Sequence, residues 1–204
     1  MDTYQNYGEL AAKEQEGSDF SVKVVDRDNA KTLLLAPHGG AIEPGTSEIA
    51  RAIAGDDLSY YLFEGIKSSN NRILHITSTN FDEPRALEIV EEFQNIVAVH
   101  GEGSEDEIVY LGGRDNGLLN HLKAALVEAG YITKTHTNPS LQGISPDNIC
   151  NRGYSSAGVQ LEVAKGLRRR FFSALNSAGR KDPTAELNLF ASAIRNGLQI
   201  ANAL

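Results

Sequence analysis

Apolar residues in this chain fall into two kinds of block. Short runs such as Leu33-Leu34-Leu35-Ala36 stop at Pro37 and the pair Gly39-Gly40, the mark of a buried strand leaving a sheet. Longer stretches repeat apolar residues at helical spacing, as in Leu118, Leu119, Leu122 and Leu126, or Leu187, Phe190, Ile194 and Leu198. These patterns predict strands over 21–26, 31–36, 59–63, 72–77, 96–100, 108–112, 131–135 and 159–163. They predict helices over 46–54, 83–93, 116–129, 164–177 and 184–204. Start and stop signals support three of the helices: Asp82-Glu83-Pro84, Asp115-Asn116 with Gly130, and Asp182-Pro183. Strand and helix alternate throughout, which implies an α/β fold: one three-layer α/β/α domain with a mixed, mostly parallel central sheet. Residues 1–19 are polar, with room for a short helix over 6–14, and read as a loosely attached lead-in to a domain spanning 20–204.

Composition narrows the class without naming an activity. Hydrophobic residues make up 41% of the chain and charged residues 23%, the balance of a globular protein with a sizeable core. Cys150 is the single cysteine, so no internal disulfide ties the fold to an oxidising compartment. No apolar run approaches the roughly 20 residues of a membrane-spanning helix. The first residues lack the basic and apolar regions of a signal peptide, so synthesis in the cytoplasm is the expectation. A net charge of −8 argues against nucleic acid or an anionic membrane as the main partner. Arg168-Arg169-Arg170 would fan outward on a helix and reads as a solvated face. With no heptad pattern and no exposed apolar stripe, a monomer is expected.

Side chains capable of chemistry stand at the ends of the predicted strands. His38 and Glu43 follow the first apolar run, and His100 closes Ile96-Val97-Ala98-Val99. Alternation in 158–163 puts Gln160 and Glu162 on the face opposite Val159, Leu161 and Val163. Open α/β sheets place ligands just beyond such strand ends. Two imidazoles and a carboxylate can hold zinc and leave a fourth position for water, with a free carboxylate as proton acceptor. Each residue also has a plain structural reading. A strand-end histidine is commonly structural or solvent-exposed, His100 could open a loop, and Glu162 could be half of an internal ion pair with an arginine.

The segment Ala36-Pro37-His38-Gly39-Gly40-Ala41-Ile42-Glu43 resembles the phage-type poly-γ-glutamate hydrolases, a family related in fold to the zinc carboxypeptidases. The likeness continues through Tyr61–Gly65, His75–Pro84, Val99-His100-Gly101, Pro146–Arg152 and Gly158–Glu162, in order along nearly the whole chain. The resemblance implies one zinc ion held by His38, Glu43 and His100, with Glu162 as general base. It implies cleavage within a polymer whose glutamates are joined through side-chain carboxyls, so that each unit keeps a free α-carboxylate. Such a substrate needs donors near the metal. Arg152 is the leading residue to meet a carboxylate or the oxyanion, with a structural ion pair as its alternative. His75 could line the cleft, donate to the oxyanion, or merely pack. Arg114 reads first as part of a turn into a helix.

One departure concerns specificity. The carboxypeptidases proper use His-x-x-Glu for their first two ligands, whereas four residues separate His38 from Glu43. That spacing agrees with the polyglutamate group and weakens any transfer of exopeptidase specificity. A chain of net charge −8 acting on a polyanion needs a localised basic cleft, or a rate that rises with ionic strength. The competing functions are a zinc amidase or peptidase for another acyl substrate, such as a cell-wall peptide, and a non-catalytic polymer-binding module. The family resemblance suggests a phage or prophage enzyme that clears a capsule, acting outside the cell after lysis or other release.

Overall fold

The computed structural model describes residues 2–204. In chain order the elements are α1 (Tyr7–Ala11), β1 (Phe20–Val25), β2 (Thr32–Gly40), α2 (Thr46–Ala54), β3 (Ser59–Gly65), α3 (Pro84–Glu91), β4 (Asn95–Glu102), β5 (Ile108–Gly113), α4 (Asn116–Glu128), β6 (Ile132–Lys134), β7 (Val159–Ala164), α5 (Lys165–Phe171) and α6 (Ala185–Ile200). The strands form one seven-stranded sheet in the order β1-β3-β2-β4-β7-β5-β6. Its centre, β3-β2-β4-β7, is parallel; β1 joins β3 and β5 joins β7 antiparallel, and β6 runs parallel to β5. The mixed, mostly parallel sheet of a three-layer α/β fold is therefore what the chain builds.

β2 is buried along its whole length, as a strand covered on both faces must be. Leu34 and Ala36 pack with Ile49 and Ile53 of α2, Leu122 of α4 and Ile194 of α6. Leu33 and Leu35 face a second core with Phe81, Ala86, Ile89 and Val90. The chain leaves β2 through α2 on the first face to reach β3, then crosses through α3 on the second face to reach β4. β3 and β4 flank β2 on opposite sides. That reversal opens a crevice at the carboxyl ends of β2 and β4, where His38 and His100 stand.

Three local expectations differ from the structure. Residues 72–77 are not a strand; a 3-10 turn, Asn71–Leu74, opens the segment. Both edges of the adjoining β3 are already taken by β1 and β2, and Leu74 and Ile76 are buried from a loop instead. The helix expected over 164–177 ends at Phe171, because Phe172 makes an isolated bridge to Pro183. The lead-in is fastened rather than loose. Leu10 is fully buried, the Tyr7 amide donates to the Asp82 carboxylate (2.6 Å), and Lys67 pairs with Glu14.

Candidate active site

The end of β2 is shaped to bring His38 and Glu43 together. Its register against β3 shifts between Ala36 and Gly39. Gly40 takes φ +63°, and a Cβ there would lie 2.5 Å from the Gly65 carbonyl oxygen. Only glycine meets both demands at once. The turn closes with the Glu43 amide donating to the His38 carbonyl (2.9 Å). The Thr46 hydroxyl sits 3.2 Å from the same carbonyl and 2.9 Å from that of Glu43. One hydroxyl at the start of α2 thus fixes the backbone of both residues.

Three donor atoms converge there. His38 Nδ1 lies 3.1 Å from His100 Nδ1 and 3.3 Å from Glu43 Oε2, and His100 Nδ1 lies 3.8 Å from that oxygen. Four ligands about 2.0–2.2 Å from a zinc ion stand roughly 3.3–3.6 Å from one another, so the triangle has the right size. His38 Nε2 donates to the Ile76 carbonyl (2.7 Å), which leaves Nδ1 as a lone pair. Two imidazole nitrogens 3.1 Å apart need a proton or a cation between them. Burial, with repulsion from His38, lowers the His100 pKa to about 3. Burial would raise Glu43, but His38, His100 and the Gly101 amide (2.8 Å) outweigh it and hold the carboxyl well below its usual range. Neutral His100, ionised Glu43 and an available His38 Nδ1 fit a divalent metal.

His75 stands beside this set. Its ring lies 3.9 Å from that of His38, centroid to centroid, and its Nε2 is 3.7 Å from Glu43 Oε1. His38, Glu43 and His75 also bring one ligand atom each within 4.8 Å of one another. The His38–Glu43–His100 triangle is the tighter one. Burial, then His38, lowers the His75 pKa to about 4, and its Nδ1 is bonded to Asp2 Oδ1 (2.7 Å). The other Asp2 oxygen accepts the Thr77 amide (2.6 Å).

Glu162 on β7 stands opposite His100 in the register of β4. Its Oε1 accepts from Gln160 Nε2 (2.9 Å), and Gln160 is held in turn by Asn148 Nδ2 (2.8 Å). No cation pairs with it among the described residues, so it is not half of an internal ion pair. Burial and the nearby carboxylates of Glu43 and Glu102 push its pKa well up. That is the environment of a carboxylate able to take and return a proton.

His38, Glu43, His75, His100 and Glu162 line one cleft of about 370 Å³, with Arg72 and Glu102 in its wall. Arg152 does not join them. It follows the 3-10 turn Ile149–Asn151 and lines a separate hollow with Arg114, so of its two expected partners, a carboxylate or the oxyanion, the oxyanion is corrected. Its neighbour Asn148 faces the cleft, whereas Arg152 leaves on the other side of the turn.

Sequence reasoning missed two arginines. Arg72 fell within the segment read as a strand; it reaches Glu43 Oε1 at 3.6 Å with its side chain 66% exposed. Arg168 was hidden in the triple-arginine run. Arg169 and Arg170 are solvated and paired with Glu105 and Glu107, but Arg168 is 3% exposed. It donates to the carbonyls of Pro44 (2.5 Å), Glu102 (2.9 Å) and Val163 (3.0 Å). Those carbonyls lie one or two residues beyond Glu43, His100 and Glu162, so one guanidinium ties together the three segments of the site. Gly101 makes room for it, since a Cβ there would stand 2.8 Å from Arg168 Cζ. The available signal was helical phase: Leu167, Arg168 and Phe171 share the buried face of α5.

Comparison with known proteins agrees with this architecture. The chain is 37% identical over 200 residues to UPF0714 protein YmaC of Bacillus subtilis (strain 168), covering 97% of this chain and 84% of that protein. It superposes on the structure of a bacteriophage poly-γ-glutamate hydrolase with a TM-score of 0.94 at 33% identity, over 99% of each chain. The zinc-free apo form of YNDL superposes with a TM-score of 0.92 at 35% identity, over 98% of this chain and 99% of that one. A metallo-carboxypeptidase from Burkholderia cenocepacia shares the fold at 11% identity and a TM-score of 0.50, over 94% of this chain and 67% of its own. The family model described as poly-gamma-glutamate hydrolase matches residues 4–193. The chain belongs to the poly-γ-glutamate hydrolase family.

Proposed function

We propose that the protein is a zinc-dependent, endo-acting hydrolase of poly-γ-glutamate in which His38, Glu43 and His100 hold the metal and Glu162 is the general base. The observation that carries this reading is the convergence of two imidazole nitrogens and a carboxylate oxygen at 3.1–3.8 Å in a cleft shared with an unpaired, buried Glu162. Membership of the family supports the substrate. The description of a close structural relative as a zinc-free apo form supports the metal.

Zinc, when bound, polarises the scissile carbonyl and lowers the pKa of water. Glu162 takes the proton of the attacking water and returns it to the leaving α-amine. Its raised pKa lets it hold that proton between the two steps. His75, fixed by Asp2 through Nδ1, lines the cleft beside His38, where its neutral Nε2 can accept a substrate N–H. Arg72 is the cation in the cleft wall and meets an α-carboxylate next to the cut. The lead-in and residues 20–204 act together as one catalytic domain, in a monomer, because Asp2 reaches His75 and Leu10 is buried. The proposed setting is outside the producing cell after lysis, on the polymer of a capsule.

Chelated protein should leave the size distribution of poly-γ-glutamate unchanged, and one equivalent of zinc should restore cleavage. Early products should be mid-sized fragments rather than free glutamate. If His38→Ala and Glu162→Ala both cut the polymer like the native protein, the assignment is wrong. Accumulation of free glutamate from the start would remove the endo element alone.

A further inference from the structure

The basic cleft that a polyanion demands is not the catalytic cleft, whose wall carries Glu43, Glu102 and Glu162 against Arg72. Unpaired positive charge lies elsewhere. Among the described residues every other arginine makes an ion pair or a side-chain hydrogen bond. Arg114 and Arg152 do neither, and both line the same hollow of about 460 Å³. Glu91 lines it as well and pairs with neither of them.

The backbones that carry this pair are fixed around one residue. The Arg114 amide donates to the Gly158 carbonyl (2.9 Å), and the Gly158 amide donates to Asn151 Oδ1 (3.0 Å), next to Arg152. Asn151 also donates to the carbonyls of Gly143 and Ser145, so the loop bearing Arg152 is tied down. Leu87 and Val90 supply an apolar wall. Two guanidiniums on pinned backbone beside an apolar wall match a unit carrying one carboxylate on a short methylene chain.

We propose that the Arg114–Arg152 hollow is a remote carboxylate subsite, which holds an α-carboxylate of the polymer several units from the bond being cut. This rests on the substrate reading above. The loop over 139–152 connects the two sites: Ser140, Leu141 and Asn148 line the cleft, while Pro146, Asn151 and Arg152 line the hollow. A polymer crossing this loop engages both, whereas a fragment held at the cleft alone does not.

The test compares zinc-loaded native protein with the double variant Arg114→Gln/Arg152→Gln on long poly-γ-glutamate and on γ-linked triglutamate. The ratio of kcat/KM for polymer over trimer should fall about 10-fold in the variant, through KM for the polymer. Lys123→Gln/Lys181→Gln removes the same charge from exposed positions and should leave the ratio as in the native protein. An unchanged ratio in the arginine variant, or an equal fall in the lysine variant, overturns the subsite. Binding of fluorescent polymer is read in parallel, with free glutamate as competitor. Competition by free glutamate at equal carboxylate concentration would make the hollow a small-anion site and overturn the polymer assignment. If native zinc-loaded protein cuts neither substrate, the hydrolase reading fails by itself; the arginine-dependent binding still decides the subsite.

Discussion

The proposed catalytic cleft and the Arg114–Arg152 hollow lie on two sides of one loop and are built on opposite principles. In the cleft three of the proposed reacting side chains are gripped by another group. Ile76 holds His38, the Gly101 amide holds Glu43, and Gln160 backed by Asn148 holds Glu162. In the hollow the backbone is pinned, but the guanidiniums have no internal partner. Chemistry loses orders of magnitude to displacements near 1 Å, so reacting groups are fixed before substrate arrives. Recognition of repeating carboxylates on a flexible chain tolerates mobile arms, provided their anchors stay put. The same loop can therefore carry a rigid wall and a compliant one.

The largest expected effect comes from the rigid side. Glu162→Gln should lower kcat by about 10²–10⁴-fold, the usual worth of a general base. The same change should stabilise the metal-free protein. The folded-state pKa of Glu162 is raised above its ordinary value of 4.5, so the folded form keeps a proton that the unfolded chain releases. Stability is lost as pH rises from that ordinary value through the raised one. Glutamine never ionises, so at pH 8 the variant should melt higher by about 2–6 °C, on the scale of 0.5–2 kcal/mol. The gain should shrink toward pH 4.5. A melting point equal to the native one at pH 8 would mean that Glu162 is not under strain, and the contrast with the hollow would lose its energetic basis.

Arg168 tests the grip itself. Arg168→Gln leaves the buried carbonyls of Pro44, Glu102 and Val163 short of donors, at about 1–3 kcal/mol for each unsatisfied group. A net loss of about 3–5 kcal/mol, or roughly 6–20 °C in Tm, is expected. Arg168→Lys should recover less than half, because an ammonium cannot span three carbonyls in fork geometry. Thermal melts with metal analysis decide it. A Lys variant as stable as the native protein would reduce Arg168 to a buried charge without a positioning role.

What could be read from the chain divides along the same line. His38 and Glu43 were legible because an apolar run, a proline and two glycines announce a strand that ends in a forced turn. His100 and Glu162 were legible as polar side chains at strand ends, where burial is costly without a use. Arg152 looked like a site residue because Asn148–Arg152 is one compact block, yet the intervening 3-10 turn sends its ends to different hollows. Arg168 and Arg169 carry the same side chain; only packing of α5 against β7 and the loop after Glu43 makes one buried and the other solvated. The N-terminal segment was unreadable for a related reason. Asp2 meets His75 across 73 positions of sequence, and no local pattern encodes such a contact.

That contact yields a smaller effect. Asp2 accepts from His75 Nδ1 and the Thr77 amide, which orients the imidazole toward the cleft. Asp2→Ala should lower kcat about 3–10-fold while zinc content stays near one equivalent, in line with losing one or two partly exposed hydrogen bonds. His75→Gln in the same background should add little if Asp2 acts through His75. Fully additive losses would show that the lead-in contributes by packing alone.

The smallest expected effect bears most directly on the two hollows. A chain of net charge −8 repels a polyanion, and salt screens that repulsion as the Debye length falls from about 30 Å at 0.01 M to about 8 Å at 0.15 M. Arg114 and Arg152 act in the other direction, since their local attraction also weakens with salt. In the native protein the two trends oppose, so kcat/KM on the polymer should change by no more than about 2-fold over this range. The Arg114→Gln/Arg152→Gln variant is two charges more negative and has lost its attractive contacts, so its kcat/KM should rise more steeply with salt. Parallel salt profiles for the two proteins would mean that the overall field alone governs encounter, and the hollow would not be steering the polymer.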